Sequence, residues 1–89
     1  MSLTAASVPV LWRLARLDFD RVRQQPVLLY PEGALLLNQT GAAILELCDG
    51  RRSIAEIARV LGERFGCDVN ADVTDYLSRL ADRDLIHEA

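Results

Sequence analysis

The chain has no lysine: all ten basic residues are arginine, set against 13 acidic ones for a net charge of −3. That absence removes the Schiff-base amine and the lysine general base, and the single histidine, His87, sits at the exposed end of the sequence. Glu32 and Glu46 have no evident carboxylate partner, so the sequence predicts a binding protein and not an enzyme. Cysteine is also scarce. Cys48 and Cys67 lie far apart with no further Cys or clustered His, which excludes a readable zinc site or disulfide framework and leaves Cys48 as core filler on a helix face. No cofactor and no metal are expected. No apolar run approaches the roughly 18 residues of a membrane span, and no basic residue precedes Arg13 ahead of an apolar block, so neither a membrane anchor nor a secretory signal is predicted. A cytoplasmic location is the default expectation.

What is present is ordinary globular material. The chain of 89 residues is 51% apolar and 26% charged, enough for one small core and too short for two. Its charges are unevenly spread. Arg13, Arg16, Arg21 and Arg23 face only Asp18 and Asp20 in the early part, while the last third is acidic. Either these are two solvated surfaces, or the amino-terminal half steers an acidic peptide.

Residues 1–9, small and ending in Pro9, read as a flexible arm ahead of a single domain over 10–89. Trp12, Leu14 and Leu17, interrupted by Arg13 and Arg16, suggest a short extended segment, followed by a charged link over 18–25. Val27 to Tyr30 and Ala34 to Asn38 then form a β-hairpin around Pro31-Glu32-Gly33: proline suits the second position of a type I turn, and Gly33 is expected at positive φ. The second strand has apolar residues on both faces, which calls for a partner the short chain does not supply. A helix follows, capped by Asn38 or Thr40, with Ala43, Ile44, Leu47 and Cys48 on one face and Gly50 closing it. Ser53 and Glu56 have capping-box spacing and start a second helix, whose stripe is Ile54, Ile57, Ala58, Leu61 and Phe65 and whose stop is Gly66. A third helix opens near Asn70 with Val73, Tyr76, Leu77 and Leu80 on one side, and Leu85 and Ile86 form an apolar tail. The fold class is α+β and winged-helix-like: a small amino-terminal antiparallel sheet of two to three strands followed by three α-helices.

The stretch LLYPEGALLLNQTGAAILELCDG, with the SIAEIARVL and VTDYLSRLADRDLI helices, closely resembles the PqqD family of peptide chaperones, RiPP recognition elements of pyrroloquinoline quinone biosynthesis. The resemblance covers about residues 8–87 and is strongest at Tyr30-Pro31-Glu32-Gly33, at Leu37-Asn38 with Gly41, and at Cys48-Asp49-Gly50. It implies a protein that binds the ribosomal precursor peptide PqqA and presents it to PqqE, the radical S-adenosylmethionine enzyme that cross-links a Glu and a Tyr within it. It also implies a peptide held as an added strand beside the third helix, in a groove between Ala34, Leu35, Leu36, Leu37, Asn38 and the stripe Val73, Tyr76, Leu77, Leu80. This chain departs from the usual winged-helix pattern at Asp84, where a glycine is common.

Each of these residues also has a plainer role. Leu35 and Leu37 read better as core, Asn38 as a helix cap, and Leu36 equally as core or as groove or dimer surface; Tyr76 flanks its stripe, where an aromatic body with a polar tip suits either packing or a bound strand. The rival function is a winged-helix DNA-binding regulator. Against it, the third helix region carries Asp72, Asp75, Asp82 and Asp84 with only Arg79 and Arg83, a repulsive face for a polyanion, so no nucleic-acid partner is expected. A small quinone-like ligand has no residue pattern in its favour. Two surfaces are candidates for the enzyme, the segment Trp12 to Leu17 and the Arg51-Arg52 turn. A homodimer is possible through the same open edge or the arm, and would then occlude the peptide site.

Overall fold

The computed structural model describes residues 3–89. Five strands and three helices follow in the order β1 (Pro9–Leu11), β2 (Arg16–Asp20), β3 (Gln25–Tyr30), β4 (Gly33–Leu36), α1 (Gln39–Glu46), α2 (Ile54–Phe65), α3 (Asn70–Asp82) and β5 (Ile86–Glu88). The fold is α+β, as the patterning predicts. Its strands divide into two antiparallel sheets: β2-β3-β4, and a ribbon of β1 with β5.

The two unpredicted strands come from the ends of the chain. Pro9 pairs with Glu88, Val10 with His87 and Leu11 with Ile86, so the apolar tail turns back as a strand once Asp84 takes a left-handed φ of 60°. That is the position at which the sequence lacks the expected glycine; Asp is among the residues that tolerate this conformation best. The loose-arm expectation is corrected for the described part of residues 1–9. Leu3 is buried in the core, and the carbonyls of Ala5 and Ser7 accept the N–H groups of Ala55 and Ile54. The arm thus satisfies free amides at the start of α2, groups that every helix leaves unpaired. Residues 1 and 2 lie outside the described residues.

The hairpin runs in the register Tyr30 with Gly33, Leu29 with Ala34, Leu28 with Leu35 and Val27 with Leu36. Gly33 does not take a positive φ. It is already the first paired residue of β4, which leaves Pro31-Glu32 alone as the turn. The left-handed residue occurs instead at Gln24, φ 57°, in the β2–β3 turn, where the Asp20 carboxylate accepts the N–H groups of Val22 and Arg23. The charged link is thereby a second hairpin turn, with Asp18 to Asp20 belonging to β2.

Helix boundaries follow side-chain chemistry. Asn38 caps α1 by accepting the Gly41 N–H at 2.7 Å. Ser53 and Glu56 form the reciprocal capping box of α2, and Gly66 ends that helix at φ 74°. At α3 the cap position holds Val69, which offers no side-chain acceptor; Asp68 accepts the Asn70 N–H just outside. The helices and the inner sheet face enclose one core in which Leu28, Ile54, Ile57, Leu61, Val73, Leu77 and Ile86 are fully buried. Phe65, expected on the α2 stripe, stays exposed at the helix end. Cys48 is buried, donates to the Ile44 carbonyl, and has its thiol pushed up to about 12 by burial and, less, by neighbouring Asp49, which makes it inert filler.

Candidate functional site

The three-stranded sheet has two edges, and the structure treats them differently. Alternate residues of an antiparallel strand turn their N–H and C=O groups to the same neighbour. The Leu37 N–H donates to the Pro26 carbonyl at 2.9 Å, which fixes the parity of the β3–β4 pairing. Gly33 and Leu35 therefore direct their backbone groups at β3, and Ala34 and Leu36 direct theirs away from the sheet. Two N–H and two C=O groups stand along this rim with no strand partner among the described residues.

The same parity carried across β3 turns Val27 and Leu29 toward β2, so Leu17 and Phe19 hold the outward groups of the other edge. That edge is guarded. The Phe19 N–H is taken by the Asp18 carboxylate at 2.8 Å, and α1 packs against β2, with Ala42 and Glu46 beside Leu17 and Phe19. Local capping and covering are the usual means of blunting a strand edge, and among the described residues β4 has neither.

Helix α3 brackets β4 from both ends. Beyond its carboxyl end, Tyr76 reaches over α1: a Cβ added to Gly41 would lie 2.6 Å from the Tyr76 hydroxyl, so only glycine leaves room for the ring. Asn38, Thr40, Gly41, Asp72, Asp75, Tyr76 and Arg79 line a cleft of about 160 Å³ there. Before the amino end of β4, Arg83 donates to the Tyr30 hydroxyl at 2.9 Å and lies 5.9 Å from its ring centroid, beside a cleft of about 280 Å³ that also includes Trp12 and Glu32. Asp72, Tyr76, Arg79 and Arg83, at i, i+4, i+7 and i+11, thus form a stripe at helical spacing that runs from one cleft to the other. Half-burial raises the Tyr76 phenol above its ordinary value although Arg79 pulls the other way, and it is the neutral hydroxyl that faces the cleft. Arg79 pairs with Asp75 at 3.4 Å on the exposed shoulder of the helix.

Of the sequence-expected contacts, Ala34 and Leu36 are exposed on the rim, Leu35 is half-buried on the core side, and Asn38 is occupied as the α1 cap. Tyr76 lines the cleft beyond the carboxyl end of β4. Leu37, Val73, Leu77 and Leu80 are corrected: each is at most 4% exposed and belongs to the core, out of reach of a docked chain. The apolar stripe of α3 faces inward because that is where its burial stabilises the fold, and the stripe of Asp72, Tyr76 and Arg79 lies one residue, about 100°, round the helix from it. Asp72, Arg79, Arg83 and Tyr30 line the two clefts without having been among the expected contacts; the spacing that runs through Tyr76 was the available signal. Among the described residues there is no cluster of three metal-ligating side chains and no helix long and apolar enough to cross a membrane.

An α+β domain with one open strand edge beside a mixed-charge helix fits the class of small peptide-recognition modules. The family model for coenzyme PQQ synthesis protein D (PqqD) matches residues 26–86, and the chain belongs to that family. A relative from Rhodopseudomonas palustris strain TIE-1, named a PqqA binding protein, is 41% identical over 92 residues, spanning 100% of this chain and 90% of the relative. The solution NMR structure of the PqqD truncation of Methylobacterium extorquens PqqCD, described as a functional stand-alone RiPP recognition element, is similar at TM-score 0.84 and 36% identity over 97% of this chain and 95% of that one. A crystal structure of PqqD from Xanthomonas campestris is similar at TM-score 0.57 and 32% identity, covering 94% of this chain and 97% of that chain.

Proposed function

We propose that this protein binds the ribosomal precursor peptide PqqA by strand addition to the β4 rim and presents it to the radical S-adenosylmethionine enzyme PqqE, with no chemistry of its own. The observation that carries the reading is the pair of outward-facing residues, Ala34 and Leu36, on an edge left open where the opposite edge is partly guarded by Asp18 and α1. Backbone pairing accepts many side chains, so affinity comes largely from the rim and selectivity from the α3 wall. Four rim bonds worth about 1 kcal/mol each, with one or two apolar anchors of about 2 kcal/mol, give a gross gain of roughly 6 to 8 kcal/mol. Ordering the peptide subtracts several kcal/mol, which leaves these contacts alone well short of micromolar strength, suited to a carrier that releases its cargo.

NMR titration of the isotope-labelled domain with synthetic PqqA tests the first half: shifts concentrated over 33–41 and at Asp72, Tyr76, Arg79 and Arg83 support it, and shifts confined to β2 and α1 refute it. The second half is tested by PqqE turnover of PqqA with and without the domain, where a cross-linking rate independent of the domain rejects presentation. The DNA-binding alternative gains nothing from α3, whose exposed face alternates Asp with Arg. A cytoplasmic setting is part of the proposal, as the place where a ribosomal peptide and its enzyme meet.

A further inference from the structure

The groove wall is electrically polar along its length. At the end near Asn38 and Gly41 it carries Asp72 and Asp75, with Arg79 lining the same cleft and paired to Asp75 at 3.4 Å, and at the end near Tyr30 it carries Arg83. Resting on the reading of the β4 rim as the peptide site, we infer that this gradient fixes the direction and register of the docked strand. The preferred segment has a basic residue over Asp72 and Asp75, and an acidic residue under Arg79 and Arg83.

The spacing follows from two rises per residue. From the middle of the acidic pair to the middle of the arginine pair is about 11 Å along a helix axis, and from Asp72 to Arg83 about 16 Å. An extended strand covers that range in about three to five residues. Only alternate strand residues face the helix, which selects the even spacing, about four. Backbone pairing alone does not provide this information: a rim with two outward residues accepts a strand in either direction and in registers two residues apart. The charges supply what the hydrogen bonds leave open. Arg83 suits the task because its planar guanidinium rests on the Tyr30 hydroxyl, which orients it, while a carboxylate binds through the remaining donors.

The plainer role for these charges is complementing the helix dipole, acidic early and basic late. A charge exchange at constant net charge separates the two. In the variant D72K/D75K/R79E/R83E, affinity for synthetic PqqA in low salt is expected to fall about tenfold, the sum of several exposed pairs, with the loss shrinking in high salt. Exchanging the acidic and the basic residue of the docked PqqA segment then restores binding to that variant. Should the fourfold exchange not fold, D72N and R83Q each remove one end and are expected to weaken binding about twofold to threefold. Unchanged affinity in the folded fourfold variant, or in both single variants, overturns the inference. Ala34→Pro run alongside distinguishes the two levels: its loss of binding with no effect of charge exchange refutes the gradient and spares the rim, and unimpaired binding by Ala34→Pro removes the peptide site and the gradient together.

Discussion

At the residue scale the most exacting contact is Gly41 beneath Tyr76. A methyl group there would meet the phenol oxygen at 2.6 Å, so Gly41→Ala forces the ring out of the cleft while the helix gains about 1 kcal/mol of intrinsic propensity. The expected outcome is a fold of unchanged or slightly higher thermal stability, displaced Tyr76 ring resonances, and PqqA affinity lowered several-fold. Leu77→Ala, one position along, acts oppositely. Its side chain is fully buried, and truncation costs about 2–5 kcal/mol in urea unfolding, with peptide affinity of the folded fraction preserved. Residue identity alone was a partial guide to this division. Asn38 as cap, Cys48 as filler and Leu37 as core followed from their neighbours in sequence, but Val73, Leu77 and Leu80 share a helix with Tyr76, and periodicity marks an apolar face without saying whether the domain or a guest covers it.

At the element scale, capping chemistry was the most legible signal, because Ser53 with Glu56, Asn38 with Gly41, and Gly66 act within a few residues. What sequence left unread was long-range: the pairing of β1 with β5 joins the two ends of the chain, and no local pattern announces it. Asn38→Ala is expected to cost about 1 kcal/mol in chemical unfolding through the lost α1 cap. The capping box of α2 carries a pH dependence. Hydrogen bonds from the Ser53 backbone and side chain hold Glu56 below its ordinary 4.5, so its contribution is fully present above 4.5 and disappears as pH falls through the lower folded value. Glu56→Gln therefore destabilises the protein at neutral pH, and the gap from the parent protein narrows on acidification, as thermal unfolding across that range will show; a constant gap is the contrary result. In β4 the parity of the backbone sets a sharper contrast. Ala34→Pro removes an outward amide and leaves the hairpin folded, whereas Leu35→Pro deletes an amide paired with β3 and destabilises the sheet.

At the scale of the whole molecule, the docked amino-terminal segment, the two-stranded ribbon and the three helices hold the three-stranded sheet with one face in the core and one edge free. The other face carries Val27, Leu29, Ala34 and Leu36, with Leu36 41% exposed, so a strand added at the rim widens an apolar surface that already exists. A second copy of the chain, were it to pair at the same rim, would compete with the peptide proposed to bind there. Raising protein concentration into any range where sedimentation detects a dimer is accordingly expected to weaken apparent PqqA affinity, and flat affinity across that range excludes self-pairing at β4. The most direct measurement concerns two amides. Hydrogen exchange at Ala34 and Leu36, followed with and without synthetic PqqA, is predicted to slow on peptide binding while Leu35, already paired to β3, changes little. Bound peptide with unaltered exchange at Ala34 and Leu36, and new protection at Leu17 instead, contradicts strand addition at this edge.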